Sequence, residues 1–277
     1  AMLVAGENTS QNIELSNSGM GDLTFYNLGD NSTPTEILLL AYGAIDAYVV
    51  IDDIVAEQFD NYNLTEINTT DGSDLGEALE NTNILIIPPQ QSFSANPAVL
   101  ATFAPYIQNF VNTGGTIIYM GSSCEHCLNA AGLLDATYFT SIIFDNLEVE
   151  DSEHPITQGF IEGITVQPTV YTYNFANDDI VVLLSDFLSG AALAYREVGI
   201  GKVIYFGHSF ETPDDGMADL LGNVLEWGRG SLPSWLSLST YEGTIALEED
   251  LSLAVHFDAT DMLAGTYEFT LAFFTND

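Results

Sequence analysis

The feature that most constrains the fold is an alternation between short apolar runs and helix-like stretches across residues 36–120. Three runs have the length of buried strands: residues 37–42 (ILLLAY), 84–87 (ILII) and 116–120 (TIIYM). The clearest helix between them covers residues 97–112, with a proline at its start and two glycines after its end. Buried strands that alternate with helices predict βαβ units, and therefore a parallel sheet covered on both faces.

Further elements of the same region follow from apolar periodicity and turn residues. The pattern predicts helices at residues 45–59, 74–80 and 217–227, and strands at residues 64–70, 170–175, 180–184, 191–196 and 202–206. Turn signals at residues 177–179 and 199–201 lie among the last four of these strands. They indicate antiparallel pairs at one edge of the sheet.

Both ends of the chain have strand patterns without helices. Residues 11–26 predict two strands around a turn, and a linker follows at residues 29–34. After a second linker at residues 228–233, four short alternating segments predict strands spaced as in a β-sandwich, at residues 235–238, 243–245, 251–257 and 266–274.

The charge balance limits the classes of partner. Forty acidic residues face three basic ones (Arg196, Lys202 and Arg229), which gives a formal net charge of −37. Phosphate binding depends on Lys and Arg, so nucleic acid is excluded and an anionic membrane surface is disfavoured. Salt relieves the self-repulsion of such a chain, so we expect a secreted or surface protein of a bacterium or archaeon in saline surroundings.

Metal and membrane signals are weak. Carboxylates are calcium ligands, so calcium is a candidate, but the sequence has no calcium-loop motif and no cofactor is assigned. Acidic runs at residues 214–215 and 248–250 are typical of solvated turns. No apolar run reaches the length of a membrane span.

The two ends together resemble the Ig-like repeats of large bacterial surface and secreted proteins. The resemblance lies in residues 15–25 (LSNSGMGDLTF), 233–245 (PSWLSLSTYEGTI) and 256–277 (HFDATDMLAGTYEFTLAFFTND). It implies one discontinuous β-sandwich, made of residues 1–30 and 231–277, into which residues 35–229 are inserted. Two separate partial β units are the alternative.

Such repeats usually continue into one more strand after the last of these segments. The resemblance therefore implies a sandwich with an open edge, which either a longer chain or a neighbouring chain would complete. Residues 2–4 (MLV) are a candidate donor strand. This predicts a subunit of a polymer or surface array, whose partners are other copies, other surface proteins or glycans.

The central region resembles the class I glutamine-amidotransferase-like superfamily. The resemblance lies in residues 110–124 (FVNTGGTIIYMGSSC), 154–160 (HPITQGF) and 201–211 (GKVIYFGHSFE). It implies a flavodoxin-like three-layer α/β/α domain with a mostly parallel sheet. It also implies a cysteine on a tight elbow after a strand, activated by a later histidine and glutamate.

The catalytic pattern of that family is altered here. If Gly121 is the elbow glycine, Ser123 takes the nucleophile position and Cys124 follows one residue late. The base and its carboxylate would be His208 and Glu211, without the usual proline between them. We therefore expect a protein that is not an enzyme, with an amidotransferase-like hydrolase that uses the crevice near Cys124 as the alternative.

Two other interpretations concern the same region. Open α/β sheets bind ligands at the carboxyl ends of their strands, where Tyr42, Gln90, Ser122 and His208 are predicted to lie. A small ligand such as a sugar would suit this crevice, and a carbohydrate-binding module is a third hypothesis. Cys124 and Cys127 are predicted to be a local disulfide or two ordinary thiols.

Overall fold

The computed structural model describes residues 8–18, 23–26, 34–44, 47–89, 97–121, 129–142, 146–160, 164–165, 170–199, 201–210, 215–229, 236–240, 242–258 and 274–275. The chain divides into two compact units. One unit combines Ala1–Thr33 with Gly230–Asp277, and the other is Pro34–Arg229.

The larger unit contains helices and strands in alternation at first, and strands alone later. Its described helices are α1 (Ala47–Gln58), α2 (Gly72–Leu79), α3 (Pro97–Asn112) and α4 (Asp215–Gly228). Its described strands are β3 (Thr35–Leu40), β4 (Tyr62–Ile67), β5 (Ile84–Ile87), β6 (Thr116–Met120), β7 (Ala136–Ile142), β8 (Asn146–Val149), β9 (Ile164–Thr165), β10 (Val170–Phe175), β11 (Val181–Ser185), β12 (Ala191–Val198) and β13 (Gly201–Phe206).

Within the described residues, these strands form one mixed sheet of eleven. Five neighbours, in the order β4-β3-β5-β6-β13, run parallel. The sheet continues antiparallel through β12, β11, β8 and β9, and β10 and β7 branch from β12. The α/β class is confirmed, but the sheet is mixed rather than mostly parallel, because short turns instead of βαβ crossovers connect β10 to β13.

Side chains of the parallel strands alternate between two helical layers. Ile37 and Leu39 of β3 face a core that includes Val55 of α1 and Leu221 of α4. Leu38 and Leu40, one residue out of phase, belong to the core beneath α2 and α3. Strands that are apolar on both faces can be buried only when helices cover both, which explains the unbroken apolar runs of the sequence.

The smaller unit is all-β in its described residues. One sheet has the order β1-β16-β14, and a second has the order β15-β2-β17. The strands are β1 (Asn8–Ser16), β2 (Leu23–Tyr26), β14 (Leu236–Leu238), β15 (Glu242–Ile245), β16 (Asp250–Asp258) and β17 (Phe274–Thr275).

Each of these sheets joins the two ends of the sequence. β1 pairs with β16 antiparallel over nine residues, from Asn8 opposite Asp258 to Ser16 opposite Asp250. β2 pairs with both β15 and β17. The strands predicted around one turn at residues 11–26 therefore lie in different sheets.

Buried Asn17 connects the end of β1 to the turn before β16. Its side-chain amide donates to the carbonyl of Ile245 at 2.8 Å, and its own carbonyl accepts from the Glu248 amide at 3.0 Å. The Ig-like character of this unit stays a prediction, and most of the predicted strand at residues 266–274 lies outside the described residues. No helix in the described part of the chain is long and apolar enough to cross a membrane.

Candidate functional site

The candidate site lies at the carboxyl ends of the parallel strands. β6 and β13 are neighbours here, with Met120 opposite Phe206 as the last pair of the register. Gly121 and Gly207, the described residues that directly follow these two strands, are therefore close together.

Gly121 makes the turn after β6. Its φ of +66° lies in the left-handed region, and a Cβ at this position would lie 2.8 Å from the side chain of Pro89. Its backbone N–H donates to the carbonyl of Phe206 at 2.9 Å, which fixes the end of β6 against β13. Only glycine combines this conformation with so close a neighbour.

Several predicted site residues lie outside the described residues. They are Gln90, Ser122, Ser123, Cys124, Cys127 and Glu211. The nucleophile position, the carboxylate partner and the disulfide therefore stay predictions.

His208 follows β13 and is completely buried, with 0% of its surface exposed. Its Nδ1 accepts a hydrogen bond from the backbone N–H of Phe210 at 3.0 Å. The rings of His208 and Phe210 meet edge to face, with centroids 4.6 Å apart. One ring nitrogen is thus committed to the local backbone, which fixes the orientation of the imidazole.

Strand β10 covers the end of β13. The Tyr171 backbone N–H donates to the Gly207 carbonyl at 2.8 Å, and Val170 forms an isolated antiparallel bridge with His208. The Tyr205 hydroxyl donates to the Tyr171 carbonyl at 2.6 Å. A side chain at Gly207 would collide with that same carbonyl. Contacts to the β10 backbone therefore hold the start of this strand against Gly207 and His208.

The two residues after His208 are buried, and the second of them is strained. Phe210 adopts a φ of +52°, which is unusual for a residue with a side chain. The buried Ser209 hydroxyl has no hydrogen-bond partner in the described part of the chain. Strain and an unsatisfied hydroxyl are tolerated only where the surrounding structure enforces them.

Tyr42 follows β3 at the same edge of the sheet but is remote from His208. Three strand spacings separate β3 from β13, or about 14 Å. The Tyr42 ring packs edge-on against Phe103 of α3, with centroids 6.0 Å apart. The structure therefore does not bring these two predicted crevice residues together.

His154, which precedes a proline and has the pattern of a turn residue, packs between two aromatic rings. Its centroid lies 5.0 Å from that of Tyr195 and 5.1 Å from that of Trp227. Its Nδ1 accepts from the Ile156 backbone N–H at 3.2 Å. Burial lowers the pKa of His154 to about 4, so the imidazole is neutral near pH 7.

All three basic side chains have partners within the larger unit. Arg196 donates from Nε to both carboxylate oxygens of Asp179 at 2.8 Å, and Arg229 pairs with Glu226 at 2.5 Å. Lys202 donates to the Trp227 carbonyl at 3.0 Å, and burial lowers its pKa to about 8. No basic side chain is left to oppose the acidic residues of the surface.

Among the described residues, no group of three or more His, Cys, Asp or Glu side chains is arranged to hold a metal ion. Sequence reasoning missed one further feature of the carboxyl edge, the buried Asp186 in the turn between β11 and β12. A lone aspartate before Phe-Leu-Ser-Gly has no signal that separates it from the other acidic turns of the chain.

No family model matches the sequence, and no curated protein is significantly similar to it. Solved structures do match. A cytoplasmic protein from Salmonella typhimurium LT2 has a TM-score of 0.51 at 13% identity, over 70% of this chain and 99% of that one. A GMP synthase component from Thermoplasma acidophilum has a TM-score of 0.53 at 12% identity, over 70% and 94%.

PurLQS from Thermotoga maritima is also similar, with a TM-score of 0.51 at 16% identity, over 70% of this chain and 99% of that one. At such identities the likeness concerns the fold alone. It supports a glutamine-amidotransferase-like fold. The matched share is close to the share of the chain that Pro34–Arg229 makes up.

Proposed function

We propose that this chain is a non-enzymatic extracellular structural or interaction protein. The observation that carries the proposal is the complete burial of His208, with its Nδ1 occupied by the Phe210 N–H. A general base must reach both the nucleophile and the proton that it removes. A substrate in solution does not touch this histidine, because none of its surface is exposed and β10 pairs with the backbone around it.

The smaller unit is the assembling part, as an Ig-like β-sandwich. In the described residues, β1 and β14 are the edges of one sheet, and β15 and β17 are the edges of the other. Open edges accept a strand from another chain by backbone hydrogen bonding. A strand donated by a neighbouring copy, with residues 2–4 as the candidate donor, would join copies into a polymer.

The charge of the chain is consistent with an extracellular, saline setting. The net charge is −37, and the three basic side chains have internal partners. Copies of such a chain repel one another until salt or a divalent cation such as calcium screens the carboxylates. Assembly should therefore need high ionic strength.

The native mass of the full chain tests the proposal. We expect light scattering to report species well above 30 kDa in about 2 M NaCl with calcium, and electron microscopy to show linear assemblies. A variant without residues 1–7, which leaves β1 intact, should form only small oligomers. A monomer under all salt conditions would refute self-assembly.

One observation favours an amidotransferase-like hydrolase as a second candidate. Gly121 and His208 follow neighbouring strands at the same edge of the sheet. The two candidates differ in the reactivity of Cys124. Alkylation near pH 7 much faster than that of a peptide thiol, lost in Cys124→Ser but kept in Cys127→Ser, would support the hydrolase and overturn the non-enzymatic proposal.

A further inference from the structure

The larger unit carries an exposed apolar cluster at its carboxyl edge. Phe187 is 61% exposed and Leu188 is 54% exposed in the turn between β11 and β12. Tyr138 and Phe139 of β7 are 49% and 37% exposed. A Cβ on Gly190 of the same turn would lie 2.5 Å from the Phe139 ring, so the turn and the strand are in contact. We call β7 together with Phe187 and Leu188 the apolar edge.

The turn that presents Phe187 and Leu188 is fixed from beneath by Asp186. One carboxylate oxygen accepts from the Leu188 and Gly190 backbone N–H groups, at 2.7 and 2.9 Å. The other accepts from the Thr172 hydroxyl at 2.8 Å. The carboxylate is buried, so the turn holds two apolar side chains outward without adding charge to the surface. Such preorganisation lowers the entropy lost on binding.

Within the described residues, the strand of the apolar edge is unpaired on one side, and it carries no charge. In the described residues, β7 pairs with β10 alone. Its sequence, ATYFTSI, contains no charged residue. Exposed edge strands normally carry charges, proline or a bulge that prevents pairing with another chain. Of these, β7 has only a register shift at Phe139, between the partners of Thr172 and Tyr173. An uncharged edge beside an exposed apolar pair is suited to strand addition.

The charge of the chain decides between occupants of this edge. A basic partner would be drawn to the carboxylate-rich surface, and it would gain no electrostatic attraction from an uncharged strand. For a second copy of the chain, by contrast, an uncharged strand is the favourable place of contact. Two chains of charge −37 repel wherever their carboxylates meet, and they can approach most closely where both surfaces are uncharged.

We propose that β7 pairs antiparallel with β7 of a second copy, about a two-fold axis. Phe187 and Leu188 of each copy then pack against the apolar edge of the other copy. This inference rests on the proposed function, because it adds a second self-contact to the one in the smaller unit. Two different self-contacts on one chain produce a filament of paired copies rather than a closed dimer.

Sedimentation velocity in about 2 M NaCl tests the contact with the full chain. Phe187→Glu places a carboxylate in each half of a two-fold interface, and we expect the contact to weaken at least tenfold. Val181→Glu is the matched control, because Val181 is also an exposed apolar residue but lies at the far end of β11. The control should assemble like the unmodified chain.

Amide hydrogen exchange supplies a readout specific to β7. We expect the outward-facing β7 amides to become protected as protein concentration rises, and to lose this protection in Phe187→Glu. Two results would overturn this inference and leave the proposed function standing. One is assembly without any change in β7 amide exchange, and the other is equal assembly of Phe187→Glu and Val181→Glu. A monomer at every salt and protein concentration would overturn both.

Discussion

His154 shows how a single buried side chain makes stability depend on pH. Its pKa is about 4 in the folded chain, against 6.5 for an ordinary histidine, because burial disfavours the charged ring. Between these values the unfolded state binds the extra proton, so stability is full above pH 6.5 and falls as the pH falls toward 4. Because the ring is partly exposed, we expect this loss to be on the order of 1–2 kcal/mol.

Urea unfolding near pH 7 and near pH 4.5 measures this effect. His154→Asn keeps an acceptor for the Ile156 N–H but cannot bind the proton, so its stability should fall less between the two pH values. His256 is an exposed histidine, and His256→Asn should behave like the unmodified chain. An equal loss in all three proteins would show that His154 contributes nothing to the acid sensitivity.

For His208 and Tyr42, only part of the structural setting could be predicted from the sequence. The position of His208 after β13 could be predicted, because its motif follows an apolar strand. The complete burial of His208 could not be predicted. The residues around it pair with β10, about 35 residues earlier in the chain, through backbone groups, and the sequence of side chains does not indicate such pairing. Tyr42 is predicted to line the same crevice, although strand order places it about 14 Å away.

At the scale of elements, the packing of β10 on β13 depends on the absence of a side chain at Gly207. In Gly207→Ala the new methyl group meets the Tyr171 carbonyl and lies 2.7 Å from the Tyr205 hydroxyl. We expect β10 to shift outward and the free energy of unfolding to fall by about 1–3 kcal/mol. His208 should then become accessible.

Histidine modification by diethylpyrocarbonate, read by mass spectrometry, follows this change directly. His208 should be unreactive in the unmodified chain and reactive in Gly207→Ala, while exposed His256 reacts in both. Gly222→Ala, within α4, is the control, because its nearest new neighbour, the Cβ of Gln58, lies 3.1 Å away, whereas the Tyr171 carbonyl oxygen lies 2.0 Å from a Cβ at Gly207. Unchanged stability and unchanged His208 reactivity in Gly207→Ala would contradict the close packing of β10 against Gly207.

The elements that could be predicted best have sharp boundaries in the sequence. The predicted bounds of β5, α3 and β6 coincide with the observed ones, since proline or glycine residues flank each apolar run. The sequence pattern does not predict β7, β8 or β9. Two of these are only four and two residues long, and β7 has aromatic neighbours in place of a clean alternation. Their pairing is decided by tertiary contacts rather than by local pattern.

For the whole molecule, the net charge of −37 predicts strong stabilisation by salt. Raising NaCl from about 0.1 M to about 2 M shortens the screening length from ~10 Å to ~2–3 Å and relieves repulsion in the folded state. Each kcal/mol gained raises Tm by about 2–4 °C in a chain of this size. Calorimetry should therefore show a rise of several degrees.

Tetramethylammonium chloride at matched ionic strength separates screening from specific binding of cations. An equal rise in Tm with both salts would support screening. A rise with sodium or calcium alone would instead indicate a bound ion. A Tm that falls or stays constant with NaCl would contradict the electrostatic prediction.

The pairing of β1 with β16 also sets an order in time. Ser16 lies opposite Asp250, so synthesis must reach residue 250 before the first contact of that ladder can form. At ~5–20 residues per second, this interval is roughly 10–50 s. The entire larger unit is synthesised in this interval, so it can fold before β16 is available to pair with β1. β1 therefore leaves the ribosome before the other described strands and is among the last of them to pair.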